Sequence, residues 1–313
     1  WIADEAVKDA ANYPAFLPFR KYFTADMGDG LGYCHTEDCE RNFKSVSDQS
    51  FSIVNEAARK VRVKNPLAGV STLAYSERAD TPSISIEKNV HVEIVANAFQ
   101  SVGTPAELVK RWTTKSKNIS IYDYLNIAQW RSDMPFYNLD RYFNNLQFLK
   151  KSGIEGISYE TSESKFSSGL LQYFILKFLC NPYTSPEKEL EIFCKNNFGA
   201  AYTPVYALLK EWYFSDEHSY TNLDYPSFYE EELGRFIQYM ETASATPGIN
   251  NAIKQRIEEL KLYIVYLCKY NELYASLTDA RQFANDASLR NKKTEALRSE
   301  ERRVGKECLR LCR

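Results

Sequence analysis

Five short β-type runs, each bounded by turn or helix signals, limit what this chain can fold into more than any other feature. They are Phe19–Asp26, Gly69–Tyr75, Val90–Asn97, Ile119–Tyr124 and Ile154–Glu160. Helical patterns follow most of them. After Ser47, an expected N-cap, Phe51, Val54, Ala58 and Val61 recur at three- or four-residue spacing, and further helices are expected over Pro105–Thr114, Asn138–Ser152 and Ser168–Leu179. The connection over 76–89 carries proline and charge without a helical period and reads as a long loop. Strands alternating with helices predict an α/β protein with a parallel sheet, whose ligands gather at the carboxyl ends of the strands. The runs end there on carboxylate, amide or aromatic residues: Asp26, Tyr75, Asn97, Tyr124 and Glu160.

Beyond Asn181-Pro182 the strand signal stops, so the architecture is expected to change near Ser185. Helices are suggested over 186–196, 203–213, 226–243 and 249–275, the last with an apolar stripe of Ile253, Ile257, Leu260, Ile264 and Leu267 that reads as packing. The segment Arg298–Cys308, RSEERRVGKEC, matches the translation of a common sequencing adapter. Residues 298–313 are therefore set aside as non-native, and the natural protein is expected to extend beyond both ends of the chain.

Without that tail Lys+Arg falls from 39 to 33 and Asp+Glu from 41 to 38, moving the formal charge from -2 to -5. A mildly acidic chain without a basic stripe is a poor match for nucleic acid or an anionic membrane. No apolar run of about 18 residues is present, so no bilayer-spanning helix is expected. Of seven cysteines, Cys34 and Cys39 alone are close in sequence outside the tail. Their spacing suits a small loop disulfide in an exported protein, two free thiols, or half of a zinc site that would need two more ligands. No G-x-S-x-G, Walker or G-x-G-x-x-G signature occurs, and no metal or cofactor is expected.

Several motifs in order carry a family resemblance. They are Asp29-Gly30-Leu31-Gly32-Tyr33-Cys34 with Cys39, Leu73-Ala74-Tyr75, Ile121-Tyr122-Asp123-Tyr124, Gly153-Ile154-Glu155-Gly156-Ile157 with Glu160, and Lys177-Phe178-Leu179-Cys180-Asn181-Pro182. Over roughly Phe19 to Tyr213 the chain resembles the bacterial family called domain of unknown function 4838, departing from its Leu-Trp-Asp-Pro-like ending at Leu179-Cys180-Asn181-Pro182. The resemblance implies a glycoside-hydrolase-like (β/α)8 barrel of the TIM type. The five strands would be strands four to eight, residues 1–184 the C-terminal half of the barrel, and residues 185–297 an α-helical extension. Half a barrel exposes strand edges, so the isolated piece is expected to be inactive.

Such an enzyme would act on a polysaccharide or oligosaccharide through two carboxyl groups, about 5 Å apart for retention and roughly 6.5–9.5 Å for inversion. By strand position the resemblance maps the acid/base onto Asp29 and the nucleophile onto Asp123, departing from the usual Glu at both. Asp-Gly at 29–30 is also a turn signal. Asp123 shares a strand face with Ile119 and Ile121, and an inward placement would set it in the barrel mouth; paired instead with Arg131 it would be structural. Glu160 ends its strand and is the third catalytic candidate. Tyr75, Tyr122, Trp130 and Asn97 are the expected substrate contacts, since sugar C–H faces stack on rings and hydroxyls need polar partners. The alternative is a noncatalytic carbohydrate-binding barrel, in which the aromatic groove remains without paired carboxylates. A periplasmic or extracellular location is expected; oligomeric state is left open.

Overall fold

The computed structural model of the chain describes residues 22–28, 33–95, 103–125, 134–135, 138–161, 169–214 and 228–282. Asp29, Asn97, Trp130, Arg131 and the tail 298–313 lie outside them. The chain divides into two compact units, residues 1–127 with 142–162 and residues 128–141 with 163–313.

The first unit holds β1 (Tyr22–Thr24), α1 (Glu37–Asn42), α2 (Val46–Lys64), β2 (Gly69–Ala74), β3 (Val90–Val95), α3 (Pro105–Lys115), β4 (Ile119–Tyr124) and β5 (Gly156–Glu160). Helix α4 (Leu139–Lys151) precedes β5. The strands form one sheet in the order β1-β2-β3-β4-β5, and every neighbouring pair is parallel. The order never reverses, and the sheet is curled. All five strand runs read from the sequence are strands of this α/β fold, the first shortened to three residues.

Helix starts follow local chemistry. Thr104 and Glu107 form a reciprocal capping box at α3, with Pro105 opening the helix. At α2 the cap is Ser45, whose hydroxyl accepts from the Asp48 amide at 3.1 Å, and not Ser47. The helix starts two residues earlier, and Asp48 anchors its first turn to neighbouring loops. The segment after β1 also contains α1, capped by the Thr36 hydroxyl.

Side-chain alternation divides the sheet into two faces. Val70 and Ala74 of β2, Val90, Val92 and Ile94 of β3, and Ile119 and Ile121 of β4 join Phe51, Val54 and Ala58 of α2 and Leu108 and Trp112 of α3 in one buried cluster. Trp112 packs 5.2 Å from Phe51, and its Nε1 donates to the Ala79 carbonyl at 2.8 Å. This is the helix-covered face. The opposite face carries Tyr22, Ser71, Leu73, His91, Glu93, Ser120, Tyr122, Tyr124, Ser158 and Glu160, by the register of the strands.

The connection 76–89 has only a short 3₁₀ turn at Ser76–Arg78, as the missing helical period implied. Polar side chains of α2 fasten it in place of helix packing. Asp48 accepts from the Ser83 amide and hydroxyl, and Asn55 donates to the Ser85 carbonyl and accepts from the Glu87 amide. Ile84 and Ile86 then pack against the helix-side core.

The second unit holds α5 (Leu170–Cys180), α6 (Pro186–Phe198), α7 (Tyr202–Phe214), α8 (Glu230–Ser244) and α9 (Asn251–Gln282). Ile257, Leu260, Ile264 and Leu267 of α9 are buried, as their spacing implied. Trp212 of α7 meets Phe236 of α8 and Tyr263 of α9 edge-on at 5.8 and 5.6 Å. No helix among the described residues is long and apolar enough to cross a membrane.

Candidate functional site

The open face of the sheet is polar, which core packing does not require. The Ser158 hydroxyl on β5 donates to Glu93 on β3 at 2.8 Å, and the Tyr22 ring on β1 lies 4.9 Å from the His91 ring on β3. Each pair reaches across an intervening strand. Neighbouring strands stand about 4.8 Å apart, so strands two apart are separated by roughly 10 Å. Side chains bridge that distance when they lean toward each other over a concave surface. Gly69 permits one of these contacts: it faces Tyr22, and a Cβ there would meet the Tyr22 ring at 2.7 Å and also strike the Asn89 carbonyl.

Two levels of polar groups line this concave face. Near the strand starts, His91 Nε2 is 2.8 Å from the Ser120 hydroxyl, and His91 Nδ1 is 3.9 Å from Glu155. Burial lowers the His91 pKa, with Glu155 and Glu93 opposing that shift, so the imidazole is neutral at physiological pH. Nearer the carboxyl ends, the Tyr122 hydroxyl donates to Glu160 at 2.8 Å. Burial and then the Glu160 hydrogen bond push the Tyr122 phenol up to about 12.

Asp26 stands just past the end of β1. Its Oδ1 accepts from the Leu73 amide and from the Thr72 hydroxyl at 3.1 Å. Burial raises its pKa; the two hydrogen bonds and Arg78 oppose the rise, and Glu93 adds to it. The Glu93 charge thus acts on Asp26, His91 and Tyr122 alike. It is the weakest influence on each of them, behind burial in every case.

The expected site residues fall in different places. Glu160 and Tyr122 are together on the open face. Tyr75 follows β2 at the same edge, with the Arg78 guanidinium 5.9 Å from its ring centre. Asp123 does share its face with Ile119 and Ile121, but that face is the helix-covered one, so Asp123 is buried on the core side and not in a barrel mouth. It lies opposite Tyr159 in the register, and burial followed by the Asp123 charge raises the Tyr159 phenol. Asp29, Trp130 and Asn97 lie outside the described residues.

Glu93, Ser158 and His91 were missed as site residues. Their signal was in the sequence: His91 and Glu93 alternate with Val90, Val92 and Ile94, marking a strand with one polar face. Cys34 and Cys39 form a disulfide with a Cα separation of 6.0 Å. The loop it closes is tied down, because the Cys34 carbonyl accepts from Gln49 at 2.8 Å and the adjacent Tyr33 hydroxyl accepts from Arg78 at 2.7 Å. Among the described residues no three His, Cys, Asp or Glu side chains are grouped to hold a metal ion.

The model of a family described as "Domain of unknown function (DUF4838)" matches residues 19–209, a span that includes every strand among the described residues and the open face they form. No curated protein matches the chain.

Proposed function

The chain belongs to the DUF4838 family, and from that premise we propose that it forms part of a glycoside-hydrolase-like (β/α)8 barrel that acts on a glycan through paired carboxyl groups. The strand order supports the barrel. Crossovers between parallel strands are right-handed, so a sheet whose strands follow one another without reversal carries its helices on one side and leaves the other free to close on itself. In such barrels side chains from alternate strands form the inner layers. Glu93 with Ser158, and Tyr22 with His91, are contacts of that kind.

The feature that carries the functional reading is Glu93 and Glu160 on one concave face beside Tyr122, with Asp26 at the carboxyl end of β1 near enough for the Glu93 charge to act on it. Glycoside hydrolysis needs one carboxyl group that holds a proton for the leaving oxygen and a second, ionised one that faces the sugar. Environments that push two carboxyl pKa values apart assign those parts. Asp26, raised chiefly by burial, is suited to hold the proton. Glu160, exposed and held by the Tyr122 hydroxyl, is suited to face the sugar. Glu93 adds a small push in the same direction, behind burial. Tyr75, Tyr122 and Tyr124 supply rings against which a pyranose can stack. The Cys34–Cys39 disulfide favours an oxidising compartment, in keeping with an extracellular or periplasmic glycan as substrate.

The test is hydrolysis by the intact protein across a panel of neutral and amino-sugar glycosides. Asp26→Asn and Glu160→Gln are each expected to lower turnover by about a hundredfold or more with the far-UV circular dichroism unchanged. Retained glycan binding without turnover in the wild type would move the assignment to a carbohydrate-binding barrel.

A further inference from the structure

We infer that Arg78 is a positioning residue for the Asp26 carboxyl group, its guanidinium joining the segment after β1 to the end of β2 so that Asp26 is held against the Leu73 amide. The inference rests on the hydrolase reading for its functional meaning, but its geometry stands independently. Arg78 is 2% exposed, and among the described residues no carboxylate forms an ion pair with it. Its donors go instead to three neutral acceptors. Nε donates to the Leu73 carbonyl at 3.1 Å, one terminal nitrogen to the Met27 carbonyl at 3.1 Å, and the other to the Tyr33 hydroxyl at 2.7 Å.

Two of these acceptors bracket Asp26. Met27 is the next residue along the chain, and Leu73 is the residue whose amide donates to Asp26 Oδ1. The planar fork therefore fixes both the backbone that carries the carboxyl group and the residue that holds it. A lysine ammonium at the same place is a point donor and cannot match three acceptors in a plane.

A second observation points the same way. Ser76 has φ +54°, the one left-handed backbone other than glycine among the described residues. Such a conformation costs on the order of 1–3 kcal/mol and persists where the surroundings enforce it. Here it turns the chain back immediately after Tyr75, and the 3₁₀ turn that follows brings the Arg78 side chain beneath the end of β2. Burying an arginine without an ionic partner at a strained turn is a costly way to close a loop. It is an intelligible way to place a positive charge near one carboxyl group while its donors hold the backbone on either side of that group.

The groups that act on the Asp26 carboxyl are the Leu73 amide, the Thr72 hydroxyl, Arg78 and Glu93. Its titration is followed by the ¹³C resonance of the Asp26 carboxyl in the intact protein, assigned by its absence in Asp26→Asn, together with the pH response of the Leu73 amide. In the wild type the two are expected to titrate together. Arg78→Lys keeps the charge and loses the fork, and is expected to uncouple the Leu73 amide from the Asp26 titration and to lower kcat with KM little changed. Arg78→Met is expected to move the Asp26 midpoint further up. If Arg78→Met does not fold, Arg78→Lys alone decides. Coupled titration of Asp26 and the Leu73 amide in Arg78→Lys, at the wild-type midpoint, would overturn the assignment. Both resonance readouts are free of turnover, so a protein without hydrolase activity would sink the functional reading and leave the Arg78 assignment still decided by the spectra.

Discussion

The Tyr122 hydroxyl on β4 donates a 2.8 Å hydrogen bond to Glu160 at the end of β5. With the phenol pushed up to about 12, it remains a donor throughout the neutral range. A hydrogen bond to a charged group contributes about 1.5–3 kcal/mol, and Glu160 is exposed, so the lower end applies. Tyr122→Phe is therefore expected to lower kcat by roughly tenfold while leaving both limbs of the kcat profile in place. Steady-state rates across pH check both.

Asp26 ties the site to stability. Its folded pKa is raised, so the folded state binds the proton more tightly than the unfolded chain does. Above the folded pKa the buried charge is a cost, and stability from this group is gained as the pH falls through that value. Asp26→Asn keeps an oxygen acceptor for Thr72 and Leu73 and removes the charge. It is expected to equal or exceed the wild type in thermal stability at neutral pH, and to lose that advantage on acidification. A series of melting curves from neutral to acid pH measures the difference.

Asp48 works in the opposite sense. Burial raises its pKa, but hydrogen bonds from Ser83, Ile84 and Lys44 outweigh burial and leave it lowered. The stability it contributes is complete above the unfolded value near 3.8 and is lost as the pH falls through the folded one. Asp48→Asn is expected to cost on the order of 1–3 kcal/mol at neutral pH and to flatten the acid end of the stability profile. Urea denaturation at several pH values tests this, and protection of the Ser83 amide from hydrogen exchange should fall with it.

Gly69 is the narrow point of the open face. A Cβ there would stand 2.7 Å from the Tyr22 ring, closer than side-chain carbons approach. Gly69→Ala is expected to destabilise by about 1–3 kcal/mol and to push Tyr22 away from His91. The His91 ring resonances, now shifted by a ring 4.9 Å away, would report that displacement.

The sheet was legible because period-two runs and helix spacing are local. Val90, Val92 and Ile94 against His91 and Glu93 declare a strand with one polar face, whatever the rest of the chain does. The choice of inward face was not legible. Asp123 goes with Ile119 and Ile121 by period, and only the packing of α2 and α3 decides that this aliphatic face is the covered one. Glu93 stood in mid-strand, away from the strand ends where chemistry was sought. Its contact with Ser158 crosses β4 and needs the curl of the sheet, which no sequence spacing encodes. Arg78 lay in a loop without periodicity, and its importance follows from three acceptors brought together by folding.

The most direct measurement is the rate at which the intact protein releases reducing sugar from a glycan it cleaves, compared between wild type, Glu160→Gln and Glu93→Gln. The expected result is a loss of about a hundredfold or more for Glu160→Gln, and for Glu93→Gln a smaller loss with the alkaline limb moved to lower pH, because Asp26 acts in its protonated form and loses a charge that helps raise its pKa. Wild-type rates in both variants, at every pH, would contradict a catalytic role for the open face.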